Sequence, residues 1–197
     1  MRLSLAMITL IALASSGCAN DLRVDHPFDG QVTDGPLVRA EVLDTGGKKL
    51  FVDATNKGSQ VYGDLDEGRE MKVDEAFATN GWELAFKRYE IAINSGAANP
   101  GGMVEAAIVK GGDYGALTQA PADGFQTGLG PAMSTIDGPD AWFLYNLSAH
   151  GVVTRTDIFY VVKSSAGAFF KLRMLSYYDE AGTPAAITLE YAPVAAP

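Results

Sequence analysis

At 170–174 and again at 187–191 apolar side chains return at every second position, and that period restricts the fold more than any other feature of the chain. Phe170, Leu172 and Met174 fall on one face of a segment whose other face carries Lys171 and Arg173. After a turn at 180–184, Ile187, Leu189 and Tyr191 alternate with Thr188 and Glu190. A β-branched and aromatic run, 157–163 (DIFYVVK), precedes them and ends at Ser164-Ser165-Ala166-Gly167. Side chains of a strand point alternately to opposite faces, so these three segments predict an antiparallel meander with one buried face.

The remainder of the body also reads as strands. Residues 37–43 and 49–54 flank Gly46-Gly47 and predict a hairpin. Residues 60–65 form a further short strand, closed by Asp66-Glu67-Gly68. The Gly- and Pro-rich stretches 94–102 and 111–138 read as long loops, because nothing in them repeats at helical spacing. Segment 82–94 (WELAFKRYEIAIN) is ambiguous, since Trp82, Phe86, Tyr89 and Ile93 would share a helix face. Ile91, Ile93 and the Asn94-Ser95-Gly96 stop favour a strand, with a bulge or bend where the alternation changes phase at Lys87-Arg88. The fold class is therefore all-β, with antiparallel sheets, a C-terminal three-stranded meander, long loops and little helix.

The first residues are a different kind of segment. Arg2 precedes the apolar run 3–14 (LSLAMITLIALA), which is well short of the ~20 residues that cross a bilayer. Ser15, Ser16 and Gly17 follow, and then Cys18, the only cysteine. This order describes a signal peptide, and a cysteine directly after the cut resembles the lipobox of bacterial lipoproteins. Residues 1–17 would be removed, Cys18 lipidated, and 18–36 would serve as a flexible tether to one β-rich domain at 37–197. Acyl chains anchor a protein without a transmembrane helix, and Ala19 after the cysteine favours the outer membrane.

Charge and motifs exclude several classes of function. Fifteen basic against 24 acidic residues give a net charge of −9, and no Lys/Arg cluster offsets it, so nucleic acid is not an expected partner. Phosphate-loop, dinucleotide, H-E-x-x-H and G-x-S-x-G motifs are all absent, so no enzymatic activity is expected. Asp64, Asp66, Glu70 and Glu75 fit positions 1, 3, 7 and 12 of an EF-hand count, but Arg69 holds the place that needs glycine. A solvated acidic turn is the preferred reading there. His150 follows the aromatic run Trp142-Phe143-Leu144-Tyr145 and is either a surface histidine or an imidazole offered as an axial ligand to a porphyrin. Met103 and Met133 lie in or beside the Gly/Pro-rich loops, as gap fillers or soft ligands.

Three blocks of sequence resemble the HmuY-type haem-binding lipoproteins. The first is Val52-Asp53-Ala54-Thr55 with Tyr62-Gly63-Asp64-Leu65-Asp66-Glu67-Gly68. The second is Trp82-Glu83-Leu84-Ala85-Phe86-Lys87-Arg88-Tyr89-Glu90-Ile91, running to Asn94-Ser95-Gly96. The third joins Trp142 to Tyr145, His150, Tyr160-Val161-Val162-Lys163, Lys171-Leu172-Arg173, Tyr177-Tyr178 and Tyr191-Ala192. The resemblance implies an all-β fold on an outer-membrane lipid anchor, non-catalytic haem binding, and delivery of haem to a TonB-dependent receptor. It also implies two axial side chains from loops. His150 is the first choice and Met133 the second, with Met103 behind it. Lys87 or Arg88 would pair a propionate, while Trp82 and Phe86 are core candidates. An envelope structural or interaction lipoprotein with the same fold and no haem is the alternative.

Overall fold

The computed structural model describes residues 36–197, so the signal peptide, Cys18 and the tether before Pro36 lie outside the described residues. The first hairpin forms where Gly46-Gly47 places it. Strands β1 (Val38–Val42) and β2 (Lys48–Asp53) pair antiparallel, and Gly46 takes the left-handed conformation, φ +81°, that the tight turn needs. The meander also forms as its alternation requires, from β10 (Ile158–Lys163), β11 (Phe169–Tyr178) and β12 (Pro184–Val194). Leu172 lies opposite Tyr160 on one side and Tyr191 on the other, which carries the apolar stripe across all three strands. With β7 (Glu105–Lys110) these strands build a six-stranded antiparallel sheet in the order β1-β2-β12-β11-β10-β7.

The meander does not have one buried face only. Segment 113–120 crosses the outer face and is tied to the end of the chain by Ala120 N–H to Ala195 O and Ala195 N–H to Thr118 O. Lys171 is only 9% exposed as a result. Its ammonium donates to the Tyr114 carbonyl at 2.8 Å. The Tyr114 ring stands 4.6 Å from that ammonium and 4.4 Å from the Arg173 guanidinium, so a cationic face is roofed by an aromatic ring.

A second, four-stranded sheet runs β4-β3-β5-β6, from β3 (Val61–Asp64), β4 (Arg69–Met71), β5 (Leu84–Lys87) and β6 (Glu90–Ile93). Segment 82–94 is thus two strands rather than one bent strand. Leu84 pairs with Ile93 and Lys87 with Glu90 across a two-residue turn, Arg88-Tyr89, in which Arg88 has φ +57°. The phase change is a chain reversal. One hydrophobic cluster joins the sheets, with Leu50, Leu172 and Leu189 from the larger and Leu84, Phe86 and Ile93 from the smaller. Trp82 and Phe86 are fully buried, as core positions should be.

The loop at 94–102 is closed by buried amides. Asn94 donates to the Trp82 and Thr79 carbonyls and accepts from Asn99, so neither its donors nor its acceptor is stranded in the interior. The 111–138 region is not all loop, because Gly130–Ser134 forms a single helix, α1, with Pro131 in its first turn. A small hairpin of β8 (Phe143–Asn146) and β9 (Gly151–Thr154) completes the described residues.

Candidate functional site: a hairpin beside an apolar cleft

The β8–β9 hairpin is built on an alternation of its own. Phe143 faces inward and is buried, while Leu144 and its cross-strand partner Val153 face outward at 46% and 51% exposure. The tip adds Leu147, which is 75% exposed, and ends at His150, which is exposed with φ +48°. Asn146 holds the tip by accepting from the Ser148 and Ala149 amides. Tyr178 pins the returning strand to the large sheet by accepting the Val152 N–H at 2.9 Å. Burial raises the phenol pKa of its neighbour Tyr177. The result is a fixed arm with an imidazole at its end and an apolar outer face.

Beside the root of this arm lies a cleft of about 630 Å³, within the range of small-molecule sites. Its walls are mostly apolar, with Tyr89, Ile91, Ile93, Ala97, Pro131 and Ile136, and include the polar Gln60 and Glu90. Helix α1 forms one wall by lying against β6, the edge strand of the small sheet. The Ser134 hydroxyl donates to Ile91 O and accepts from Ile91 N–H, which satisfies an edge that would otherwise face outward unpaired. Two contacts tie arm and cleft together. The Tyr89 ring is 5.5 Å from Phe143, and the Asp137 carboxylate accepts the Tyr145 N–H at 2.8 Å.

The expected ligands occupy different environments. His150 is at the exposed tip. Met133 sits on α1 with no exposed surface, inside the hydrophobic cluster, and its carbonyl accepts the Trp142 N–H. From Trp142 the arm runs through all of β8 before it reaches His150, a separation of about 13 Å at ~3.3 Å per strand residue. This conformation therefore does not bring His150 and Met133 together. Met103 is 57% exposed in the loop before β7, and no methionine or histidine lines the cleft.

Of the two cations expected near a propionate, Arg88 is engaged within the fold. Its guanidinium donates to the Thr55 and Pro184 carbonyls, bridging the small sheet to β12. Lys87 makes no ion pair among the described residues and stands opposite Glu90, which lines the cleft. Sequence reasoning passed over Tyr89, Leu144, Leu147 and Val153. The alternation of residues 143–146 was the available signal, but four residues are too few to separate a strand from an aromatic loop.

An apolar cleft, an arm presenting one imidazole, and a two-sheet antiparallel scaffold are also found together with a consistent set of similarities. No functionally curated protein is significantly similar in sequence. Among solved structures, the apo HmuY analogue of Tannerella forsythia is 17% identical, with a TM-score of 0.56, over 74% of this chain and 94% of that one. A candidate lipoprotein from Bacteroides fragilis is 16% identical, with a TM-score of 0.53, over 82% of this chain and 96% of that one. A candidate HmuY-like haem-binding protein from Bacteroides vulgatus is 14% identical, with a TM-score of 0.52, over 80% and 97%. At these identities the likeness is one of fold. The profile of the HmuY protein family matches residues 56–136 and 130–191, which is most of the folded body and every element of the arm and the cleft, and the chain belongs to the HmuY family.

Proposed function

We propose that this protein binds haem without catalysing a reaction, using the β8–β9 arm and the adjoining cleft. The carrying observation is His150, an exposed imidazole at the end of a hairpin whose outer face is Leu144, Val153 and Leu147. A porphyrin is a flat apolar ligand with one strong axial requirement and two anionic tails. The exposed leucines supply apolar contact, the imidazole supplies an axial nitrogen, and Lys87 is an unpaired cation for a carboxylate. The donor set fits on one face of the iron. Bound haem would supply iron coordination and no turnover. His150 would hold the iron, and the arm would orient the ring edge toward the cleft.

Met133 is the proposed second ligand only if α1 lifts from β6, because its thioether is enclosed in the core. That burial favours the alternative reading, an envelope interaction lipoprotein that keeps the scaffold without a two-ligand haem site. Anchoring through lipidated Cys18 and transfer of haem to a TonB-dependent receptor belong to the same proposal. They are supported by the sequence of residues 1–18 and by family membership.

Haemin titration of the full chain in detergent, followed by absorption spectroscopy, tests the reading. A saturable red-shifted Soret band that His150→Ala abolishes is the expected result. A low-spin spectrum that becomes high-spin in Met133→Leu would assign the second ligand. A titration curve identical in wild type and His150→Ala would overturn the site.

A further inference from the structure

Away from the arm, three carboxylates converge where the sequence suggested only a solvated turn. Asp64 ends β3, Asp66 lies in the turn between β3 and β4, and Glu83 is the residue before β5. One oxygen from each lies within 4.8 Å of the others. Asp64 is 7% exposed and Glu83 1%, so two of the three carboxyl groups lie in the interior. Neighbouring groups hold them in place. Leu65 N–H donates to Glu83 Oε2 at 2.8 Å, Glu67 N–H to Asp64 Oδ1 at 2.9 Å, and the Ser164 hydroxyl to Asp66 Oδ1 at 3.2 Å. Ser165 makes a long contact of 3.5 Å to Glu83 Oε1.

An independent observation points into the same space. Tyr191 on β12 is 1% exposed, yet its hydroxyl has no hydrogen-bond partner. A Cβ added to Gly68, in the turn that carries Asp64 and Asp66, would lie 2.8 Å from that hydroxyl. The charges of Asp64, Asp66 and Glu83 all act on the Tyr191 phenol. Orphaned buried hydroxyls are rare, because each costs roughly 1–3 kcal/mol. Here the orphan faces a group of three acids.

The cations already present do not balance that group. Arg69 reaches Asp64 at 3.4 Å, but its side chain is 58% exposed and the pair is screened. Lys48 is close to the turn, 2.7 Å from the same added Cβ, but its ammonium donates to the Glu67 carbonyl and makes no ion pair with the three acids among the described residues. Burial, with the charges of Asp66 and Asp64, pushes the Glu83 carboxyl up to about 7.

We propose that Asp64, Asp66 and Glu83 form a calcium site, completed by the Tyr191 hydroxyl. All the donors are oxygens, which suits a hard cation and not zinc or copper. Three carboxylates suit Ca²⁺, which takes six to eight oxygen ligands, and exceed the one or two carboxylates by which Mg²⁺ is usually held. The EF-hand count picked out the first two ligands and the wrong partners. Glu70 instead accepts the Leu37 N–H at 2.6 Å and pairs with Lys72, and Glu75 stands exposed beside the turn Ala76–Ala78. A cation here would fasten the β3–β4 turn and β5 of the small sheet to β12 of the large one. It acts as a cross-link between sheets, independent of haem.

Terbium luminescence and thermal melting of the full chain in detergent provide the test. Tb³⁺ excited through nearby Trp82 and Tyr191 should give saturable emission that Ca²⁺ displaces and equimolar Mg²⁺ does not. Calcium at a hundredfold excess over its Kd should raise Tm above the EDTA value by about 5 °C or more. Asp66→Asn, at an exposed position that should still fold, and Glu83→Gln should each abolish both signals. Tyr191→Phe should weaken calcium binding at least tenfold. Equal Tm in EDTA and in several millimolar Ca²⁺, with no saturable emission, would overturn the proposal. So would a Glu83→Gln variant that keeps the full calcium response.

Discussion

Asn94 has no exposed surface and yet its side chain makes three hydrogen bonds in the interior. Its amide bonds two carbonyls on the chain leading into β5, and its oxygen takes the Asn99 amide, so one residue closes the 94–102 loop against Trp82 and Thr79. Asn94→Leu, nearly the same volume, strands the Trp82 carbonyl and leaves the Asn99 amide and the Thr79 carbonyl only their bond to each other, and should cost about 2 kcal/mol in urea denaturation. A loss below about 1 kcal/mol would mean that water replaces the amide. Glu83 yields a pH prediction for the cation-free chain. Its carboxyl titrates near 7 when folded against 4.5 ordinarily, so the folded state keeps a proton that the unfolded chain has released. In EDTA, stability should therefore fall as pH rises from about 4.5 to 7, by on the order of 3 kcal/mol, and Glu83→Gln should flatten the profile.

At the scale of elements, the contact between α1 and β6 decides whether the cleft exists. Gly130 permits it, because a Cβ there would lie 2.6 Å from Ile91 O and 2.7 Å from Ala92 Cα, both rigid backbone atoms. Gly130→Ala should push α1 outward, lower Tm by about 4 °C or more, and increase binding of an apolar fluorescent dye in the cleft. An unchanged Tm would show that α1 is held elsewhere. If Met133 ligates iron, the same variant should ease its release from the core and raise haem affinity. The β5–β6 turn was hard to read for a related reason. Arg88-Tyr89 lacks the Asn-Gly or Asp-Gly pair that announces a two-residue hairpin, and Arg88 bears a positive φ while its guanidinium bonds Thr55 and Pro184.

Across the whole molecule, Tyr114 shows how a loop stabilises a sheet from outside. Its ring covers Lys171 and Arg173, and its hydroxyl contacts to the Lys171 and Glu190 carbonyls are long, at 3.4 Å. Tyr114→Ala should therefore cost about 2–3 kcal/mol in chemical denaturation, whereas Tyr114→Phe should cost less than about 1 kcal/mol. Equal losses would assign the stabilisation to the hydroxyl instead. The large sheet can carry such a cover because segment 113–120 is anchored at both Ala195 backbone groups or beside them, far along the chain.

The residues alone determined the parts of this protein whose signal is local. Alternation at 170–174 and 187–191 dictates the meander because each strand must hide its apolar face, and Gly46-Gly47 dictates the first hairpin because a tight reversal needs a positive φ. The exposure of His150 was one of two local readings. Tertiary structure decided what depends on distant partners. The strand Glu105–Lys110 is half alanine and valine with little alternation, and only pairing with β10 makes it a strand. Met133 reads as a loop thioether until Trp142 and β6 close over it. Asp64, Asp66 and Glu83 become one cluster only when β3 pairs with β5, and Tyr191 comes opposite them only when the two sheets pack. Backbone periodicity is carried by neighbours in sequence, whereas burial and charge convergence depend on which elements the fold brings together.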